Sequence, residues 1–411
     1  MKVQHILHLN YTILSTEKQE QNETKESKMK IANDIFYVGV FDRDIDLFEG
    51  QYTVDDGISY NSYVIRDERI AVMDAVDARF VDEWLLNIEN LLGDTKPDYL
   101  IVQHMEPDHS AGIIRFLEKY RGATVIASQA AFRMMRGFFG TEFENRRRIV
   151  TDGDNLTLGG RTLRFITAPM VHWPEVIMTL DDGDGVLFSA DAFGKFGSFE
   201  KGRAWVDEAR RYYIGIVGKY GKQVQAVLKK IETLDVRMIA PLHGPVLDGE
   251  LGYYLDLYDK WSSYVPEESG VTVAYASIYG NTRDAAVYLA KRLGESEATV
   301  RLYDLARAEK YAPISDAFRF DRLVLAASTY NMGVFPPMRE FLTELAERGY
   351  KGRRVALIEN GSWAPAAARV MRSILGDGVE YLESTVKIAS APTDSTYREL
   401  DALASELLGK N

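Results

Sequence analysis

Tyr99-Leu100-Ile101-Val102-Gln103-His104-Met105-Glu106-Pro107-Asp108-His109-Ser110 runs from a short apolar strand directly into four side chains able to bind metal. His104, Glu106 and Asp108 alternate, and His109 follows at once. Alternate side chains of an extended segment leave the backbone on one side, so this run can offer two pairs of ligands to two adjacent cations. Three more candidates stand where an apolar strand ends: Phe165 to Val171 leads to His172, Val186 to Ala190 to Asp191, and Met238 to Leu242 to His243. Strand ends at one rim of a core gather ligands distant in sequence on a rigid frame. A lone histidine is more often a surface or hydrogen-bonded residue than a ligand, but the distribution argues otherwise. Of the six histidines, His5 and His8 lie near the start, and all the others occupy these strand ends.

Around this stretch, short β-rich runs (Ile35 to Val38, Ser62 to Ile65, Ile70 to Met73) mix with helical ones at Phe80 to Leu92, Ile113 to Tyr120 and Ala130 to Phe139. A further helix is expected from Tyr212 to Ile231. The mixture indicates a sheet-on-sheet core with helices outside. Pro266-Glu267-Glu268-Ser269-Gly270 carries turn and linker chemistry. Beyond it strands and helices alternate regularly, the texture of a doubly wound parallel sheet. The expected domains are therefore residues 29–267 and 268–411, after a disordered leader over residues 1–28.

Composition narrows the function. With 411 residues, 46% hydrophobic and 27% charged, the chain reads as a soluble globular protein of two or three domains. A net charge of −12 repels phosphate backbones, so neither nucleic acid nor an anionic membrane is an expected partner. No segment approaches the ~20 apolar residues of a membrane span, and a cytoplasmic location is expected. Cysteine is absent, which excludes disulfides, zinc knuckles and thiolate-ligated iron centres in this chain.

The run His104-x-Glu106-x-Asp108-His109, with His172, Asp191 and His243, resembles the metal motif of the metallo-β-lactamase-like domain, in the version found in flavodiiron proteins. The flanking segments resemble that family too: Gly57-Ile58-Ser59-Tyr60-Asn61-Ser62-Tyr63, His172-Trp173-Pro174, Asp191-Ala192-Phe193-Gly194 and His243-Gly244-Pro245. The hydrolase relatives usually have histidine where Glu106 stands, and a carboxylate-rich site suits iron better than zinc. The resemblance implies that His104, Glu106 and His172 bind one iron and Asp108, His109 and His243 the other. Asp191 would bridge them.

Strand Val271 to Ala276 runs into Ser277-Ile278-Tyr279-Gly280-Asn281-Thr282 as a helix begins, and this resembles the phosphate loop of flavodoxins. Hydroxyls, the Asn281 amide and N–H groups at a helix N-terminus bind a phosphate without a basic residue. The loop has neither the Walker ending nor a Gly-x-Gly-x-x-Gly pattern, which argues against nucleotide hydrolysis and NAD binding. Two later strand ends, Ser328-Thr329-Tyr330-Asn331 and Asn360-Gly361-Ser362-Trp363, would complete the site, since ligands of doubly wound sheets bind there. Tyr330 and Trp363 are candidates to flank an isoalloxazine ring, with ordinary packing the alternative for Trp363.

What the resemblance implies is an N-terminal metallo-β-lactamase-like αββα sandwich holding two iron ions and a C-terminal flavodoxin-like domain holding FMN. Its implied activity is reduction of dioxygen to water, nitric oxide to nitrous oxide, or both. Two ferrous ions and one fully reduced flavin carry the four electrons dioxygen requires. The family places the flavin of one subunit beside the irons of another in a head-to-tail homodimer, or a dimer of dimers. It draws electrons from a separate donor such as rubredoxin or a reduced deazaflavin. Arg146-Arg147-Arg148 and Arg210-Arg211 are candidate docking patches for an acidic donor, with a solvated charged face as the alternative. Two rival readings stay open: a dinuclear zinc hydrolase with an appended flavodoxin-like domain, and an electron carrier with a vestigial metal site.

Overall fold

The structure, a computed structural model, describes residues 30–409, so the expected leader over residues 1–28 lies outside it. Contacts group the chain into two compact units. One holds Val54–Lys201, Lys230–Leu251 and the described residues before Leu47; the other holds Leu47–Thr53, Gly202–Lys229 and the chain from Gly252 onward.

The first unit contains a seven-stranded sheet in the spatial order Lys30–Ala32, Ile35–Tyr37, Tyr63–Ile65, Ala71–Met73, Tyr99–Ile101, Thr124–Ala127, Arg147–Ile149. From Ala71–Met73 onward neighbouring strands are parallel. Parallel neighbours need crossovers, supplied by helices Val81–Leu92, Ile113–Lys119 and Gln129–Phe139. A six-stranded sheet, from Asn155–Thr157 to Leu247–Asp248, keeps sequence order. One buried cluster joins the two sheets, with Ile65, Met73, Ile101 and Ile126 from the first and Leu163, Phe165, Ile177 and Phe188 from the second. The helix Val81–Leu92 buries Val81, Trp84, Leu85, Ile88 and Leu92, the spacing of a single apolar stripe.

The second unit is built on a five-stranded parallel sheet ordered Val300–Asp304, Glu268–Ala276, Phe320–Tyr330, Arg354–Asn360, Glu380–Ile388. This 2-1-3-4-5 order is the doubly wound, flavodoxin-like one. The first strand lies between the second and third, and Val271 to Ala276 are buried on both faces.

Some elements differ from the sequence reading. The edge strand Glu380–Ile388 buries only Leu382, Val386 and Ile388, and its charged residues hide it from a hydrophobicity scan. Tyr212 to Ile231 is not one helix. Helix Arg203–Tyr212 passes through a π turn at Tyr213–Val217 and a 3₁₀ turn at Gly218–Tyr220 before helix Gly221–Ile231. Close approach accounts for the glycines: a β-carbon on Gly215 would lie 2.7 Å from the Tyr52 ring, and one on Gly221 would lie 2.3 Å from the Ser262 carbonyl oxygen.

Candidate functional site

Strand Tyr99–Ile101 ends just before His104, and Pro107 then starts a helical turn, Pro107–Ser110, with Glu106 as its N-cap. Proline at a first helical position costs no hydrogen bond. The simple alternation expected along the whole run therefore stops at Glu106. Asp108 and His109 project from a helical turn instead, toward a second group of side chains.

The two groups are distinct. His104, Glu106, His172 and Asp191 bring ligand atoms together in one, and Asp108, His109 and His243 in the other. In the first, His104 Nε2 lies 3.1 Å from His172 Nε2, and Glu106 Oε2 lies 3.3 and 3.0 Å from those two nitrogens. In the second, His109 Nε2 and His243 Nε2 are 3.0 Å apart, and Asp108 Oδ2 lies 3.3 and 3.4 Å from them. Asp191 belongs to both. Its Oδ2 is 3.3 Å from His104 Nε2 and 2.9 Å from His172 Nε2, while Oδ1 is 3.2 Å from His109 Nε2. All seven residues named from the sequence thus meet in one place.

Neighbours hold this arrangement from behind. Asp74, at a strand end, accepts hydrogen bonds from the backbone N–H groups of Gln103 and His104 at 2.7 and 3.3 Å. Burial pushes its carboxyl up to about 6, opposed by those donors. Asn61 Nδ2 donates to the carbonyls of Pro241 and Gly244, and the Tyr63 hydroxyl donates to Pro241, fixing the loop that carries His243. His243 Nδ1 donates to the Ser59 carbonyl at 2.6 Å, and His104 Nδ1 to Glu175 Oε1 at 2.8 Å. Sequence reasoning did not single out Glu175. Its signal is a carboxylate beside the apolar run Val176-Ile177-Met178, three residues after His172. Aromatic rings wall the cluster: Trp173 stands 5.2 Å from the His104 ring and Tyr60 stands 6.0 Å from the His243 ring, centroid to centroid.

The donor set fits a pair of cations. A backbone carbonyl can only accept, so His243 must carry its proton on Nδ1, and its Nε2 lone pair points inward at His109. Both Asp108 oxygens and Asp191 Oδ1 are buried without a hydrogen-bond donor. Buried carboxylates and facing lone pairs are costly unless positive charge lies among them. Burial alone would lower the His172 imidazole, yet the Asp191 and Glu106 carboxylates raise it to about 9. Burial opposes ionisation of Asp191, but the His104 and His109 imidazoles hold it well below the ordinary carboxylate range. The same balance lowers Glu106, beside His104 and His172.

In the second unit, three strand ends surround a cleft of about 440 Å³. Of the residues named from the sequence, Ser277, Ile278, Tyr279, Asn281, Thr282, Ser328, Thr329, Asn331, Asn360, Gly361, Ser362 and Trp363 line it. Gly280 and Tyr330 do not, though Gly280 shapes the loop: with φ +101° it stands just before helix Asn281–Glu295, and its N–H donates to Ser277 Oγ. Met332, Ala364 and Ser390 also line the cleft and were not singled out. Ser390 follows the edge strand missed in the sequence, and it joins the wall through Asn360 and Ser362. Among the described residues, no charged side chain lines the cleft. Helix Asn281–Glu295 has no side-chain cap, so its first N–H groups are open to an anion. Tyr279 and Trp363 are 94% and 81% exposed, so neither ring is committed to the protein's own packing.

The candidate docking patches are mostly occupied. Arg210 is buried and bonded to Glu267, Arg211 pairs with Glu208, and Arg147 pairs with Glu142. Arg146 donates to the carbonyls of Leu117 and Arg121.

Known proteins supply the context. The model of a family described as ODP family beta lactamase matches residues 58–244, and that of flavodoxin matches residues 273–399. An anaerobic nitric oxide reductase flavorubredoxin of Vibrio vulnificus is 28% identical over 382 residues, spanning 90% of this chain and 77% of the relative. Among solved structures, the rubredoxin oxygen:oxidoreductase of Desulfovibrio gigas matches with a TM-score of 0.86 at 24% identity, covering 92% of this chain and 97% of that one. The flavodiiron protein of Giardia intestinalis matches at 0.84 and 24%, covering 93% and 97%. These structures share the fold over more than nine-tenths of this chain. Among the described residues, no helix is long and apolar enough to cross a membrane.

Proposed function

We propose that the chain is a flavodiiron protein, a metallo-β-lactamase-like domain followed by a flavodoxin domain, and an oxidoreductase reducing dioxygen or nitric oxide at a di-iron site fed by FMN. The observation that carries this reading is the division of Asp191, whose two oxygens face two separate, buried sets of imidazole and carboxylate ligands. In this reading His104, Glu106 and His172 would hold one iron, Asp108, His109 and His243 would hold the other, and Asp191 would serve both. Residues 29–267 contain the iron ligands and residues 268–411 the FMN contacts, which are the polar side chains and backbone of the three strand-end loops.

Bound there, iron and flavin supply the electrons that the reduction consumes. The protein's own part is orientation. Glu175 and Ser59 fix which nitrogen of His104 and His243 points inward. The Trp173 and Tyr60 rings pack against the His104 and His243 rings. Glu106 has the most exposed side chain of the seven, 14%, while both Asp108 oxygens and the His104, His109 and His243 side chains are buried, so the Glu106 edge is the entrance for a small neutral molecule. The names of the relatives, one a nitric oxide reductase and one an oxygen oxidoreductase, support both substrates.

The finer parts of the reading come from the family. A separate donor, rubredoxin or a reduced deazaflavin, would be the source of the electrons, with the strand-end loops holding FMN and the imidazole and carboxylate cluster holding iron. A head-to-tail homodimer or dimer of dimers brings the flavin of one subunit to the iron of another, and the setting is cytoplasmic. The test is anaerobic reduction of protein loaded with iron and FMN, followed by oxygen- and nitric-oxide-electrode assays on one preparation. Consumption of at least one gas is expected, and His243→Ala or Glu106→Ala should abolish it while the yellow colour persists. Full turnover in either variant would refute the ligand assignment. Zinc without iron, with thioester or lactam hydrolysis, would move the chain to the hydrolase reading.

A further inference from the structure

The two halves of the metal cluster are alike in what faces inward: two imidazoles, one carboxylate and one oxygen of Asp191 each. They differ behind the imidazoles. His104 Nδ1 donates to Glu175 Oε1 at 2.8 Å, and the Met105 N–H donates to the same oxygen at 2.9 Å. Glu175 is 2% exposed, and its Oε2 is buried without a hydrogen-bond partner among the described residues. Among the described residues, His104 is its only ion-pair partner. In the other half, His243 Nδ1 donates to a neutral carbonyl, that of Ser59, and His109 Nδ1 is buried with no hydrogen-bond partner among the described residues. A carboxylate behind an imidazole makes the ring a stronger donor to a metal than a carbonyl does. Glu175 is also held in place: Ser128 Oγ donates to its carbonyl, and the nearby Ile177 N–H donates to the Gln103 carbonyl, beside His104.

We propose that Glu175 is a positioning residue whose buried charge makes the two halves unequal, so that a divalent metal in the His104–Glu106–His172 half is bound more tightly, and oxidised more readily, than one in the Asp108–His109–His243 half. The inference rests on the dinuclear reading given above. Charge is the operative property. Asp191 is shared, Glu106 and Asp108 balance each other, and among the described residues the Asp74 carboxylate bonds only the Gln103 amide and the backbone N–H groups of Gln103 and His104, which leaves Glu175 as the unmatched carboxylate hydrogen-bonded to a ligand ring.

The experiment is an anaerobic titration of the metal-free, FMN-loaded full chain with ferrous ion, comparing the unmodified protein with Glu175→Gln and Glu175→Ala. Glutamine keeps an oxygen acceptor for His104 and Met105 but removes the charge. The unmodified chain should take up two equivalents in two resolved steps. In Glu175→Gln the tighter step should weaken by about 10–100-fold, the weaker step should stay, and FMN content should be unchanged. The first oxidation of the di-iron protein should move to a more positive potential in that variant. Glu175→Gln matching the unmodified protein in both steps, with only Glu175→Ala impaired, would show that orientation alone matters and would overturn the inference. Equal weakening of both steps would overturn it as well. The unmodified chain tests it even if neither variant folds, because one shared affinity for both equivalents would refute the asymmetry. Failure of the unmodified chain to bind two equivalents would instead refute the dinuclear reading itself.

Discussion

Replacing Asn61 with alanine tests how the loop bearing His243 is held. The Asn61 amide donates at 2.9 Å to the Pro241 carbonyl and at 2.8 Å to the Gly244 carbonyl, all of it buried. Pro241 keeps a second donor in the Tyr63 hydroxyl at 2.9 Å. The two losses are therefore unequal. At Pro241 the variant forfeits one net hydrogen bond, about 1 kcal/mol. At Gly244 it leaves a carbonyl without its side-chain donor, about 1–3 kcal/mol. Loss of the buried Asn61 Oδ1, which has no partner, offsets a little of this. The expected cost is about 2–4 kcal/mol. Tyr63→Phe alone should cost about 1 kcal/mol, because Asn61 still serves Pro241. The double variant should exceed the sum by about 1–2 kcal/mol, since Pro241 then has neither donor. Equilibrium urea unfolding of the metal-free chain, in a four-member cycle, measures all three quantities. A cost for Asn61→Ala under about 0.5 kcal/mol, or additivity within that margin, would refute this account of the loop.

Other substitutions probe different parts of the chain. Gly215→Ala places a β-carbon 2.7 Å from the buried Tyr52 ring, and should lower stability by about 1–3 kcal/mol in the same unfolding assay. Thr329 Oγ1 accepts hydrogen bonds from the N–H groups of Ala366 and Ala367 at the start of helix Ala367–Leu375. Thr329→Val should cost about 1 kcal/mol and weaken FMN binding, read by flavin fluorescence on dilution. Partial burial would raise the Asp152 carboxyl, but the Lys230 ammonium and the Thr167 N–H and hydroxyl hold it below its ordinary value. A carboxyl lowered in the folded state stabilises above its unfolded value and loses that contribution as pH falls through its folded value. The deficit of Asp152→Asn, under about 1 kcal/mol for so exposed a pair, should therefore shrink as the medium is acidified; a constant deficit would contradict the shift.

The sequence determined which side chains are candidates to carry chemistry. Metal-ligating residues at successive strand ends, four histidines with no others nearby, and hydroxyl- and amide-rich loops after strands are local patterns. Each depends on the period of a strand or the start of a helix, which a short stretch of chain dictates. Tertiary structure alone decided how those residues divide. Asp108 and His109 turn away from His104 and Glu106 because Pro107 starts a helix, and Asp191 comes to stand between two groups because a strand more than eighty residues downstream ends beside them. The supports were equally hidden. Glu175 behind His104, Ser59 behind His243 and Asn61 beneath its loop are separated from their partners by 71, 184 and up to 183 residues. Spacing along a chain fixes the distance between neighbours on one element. It leaves open the distance between elements, which is set by how the sheets pack their apolar faces, and a hydrogen bond is made or lost within a fraction of an ångström of that packing.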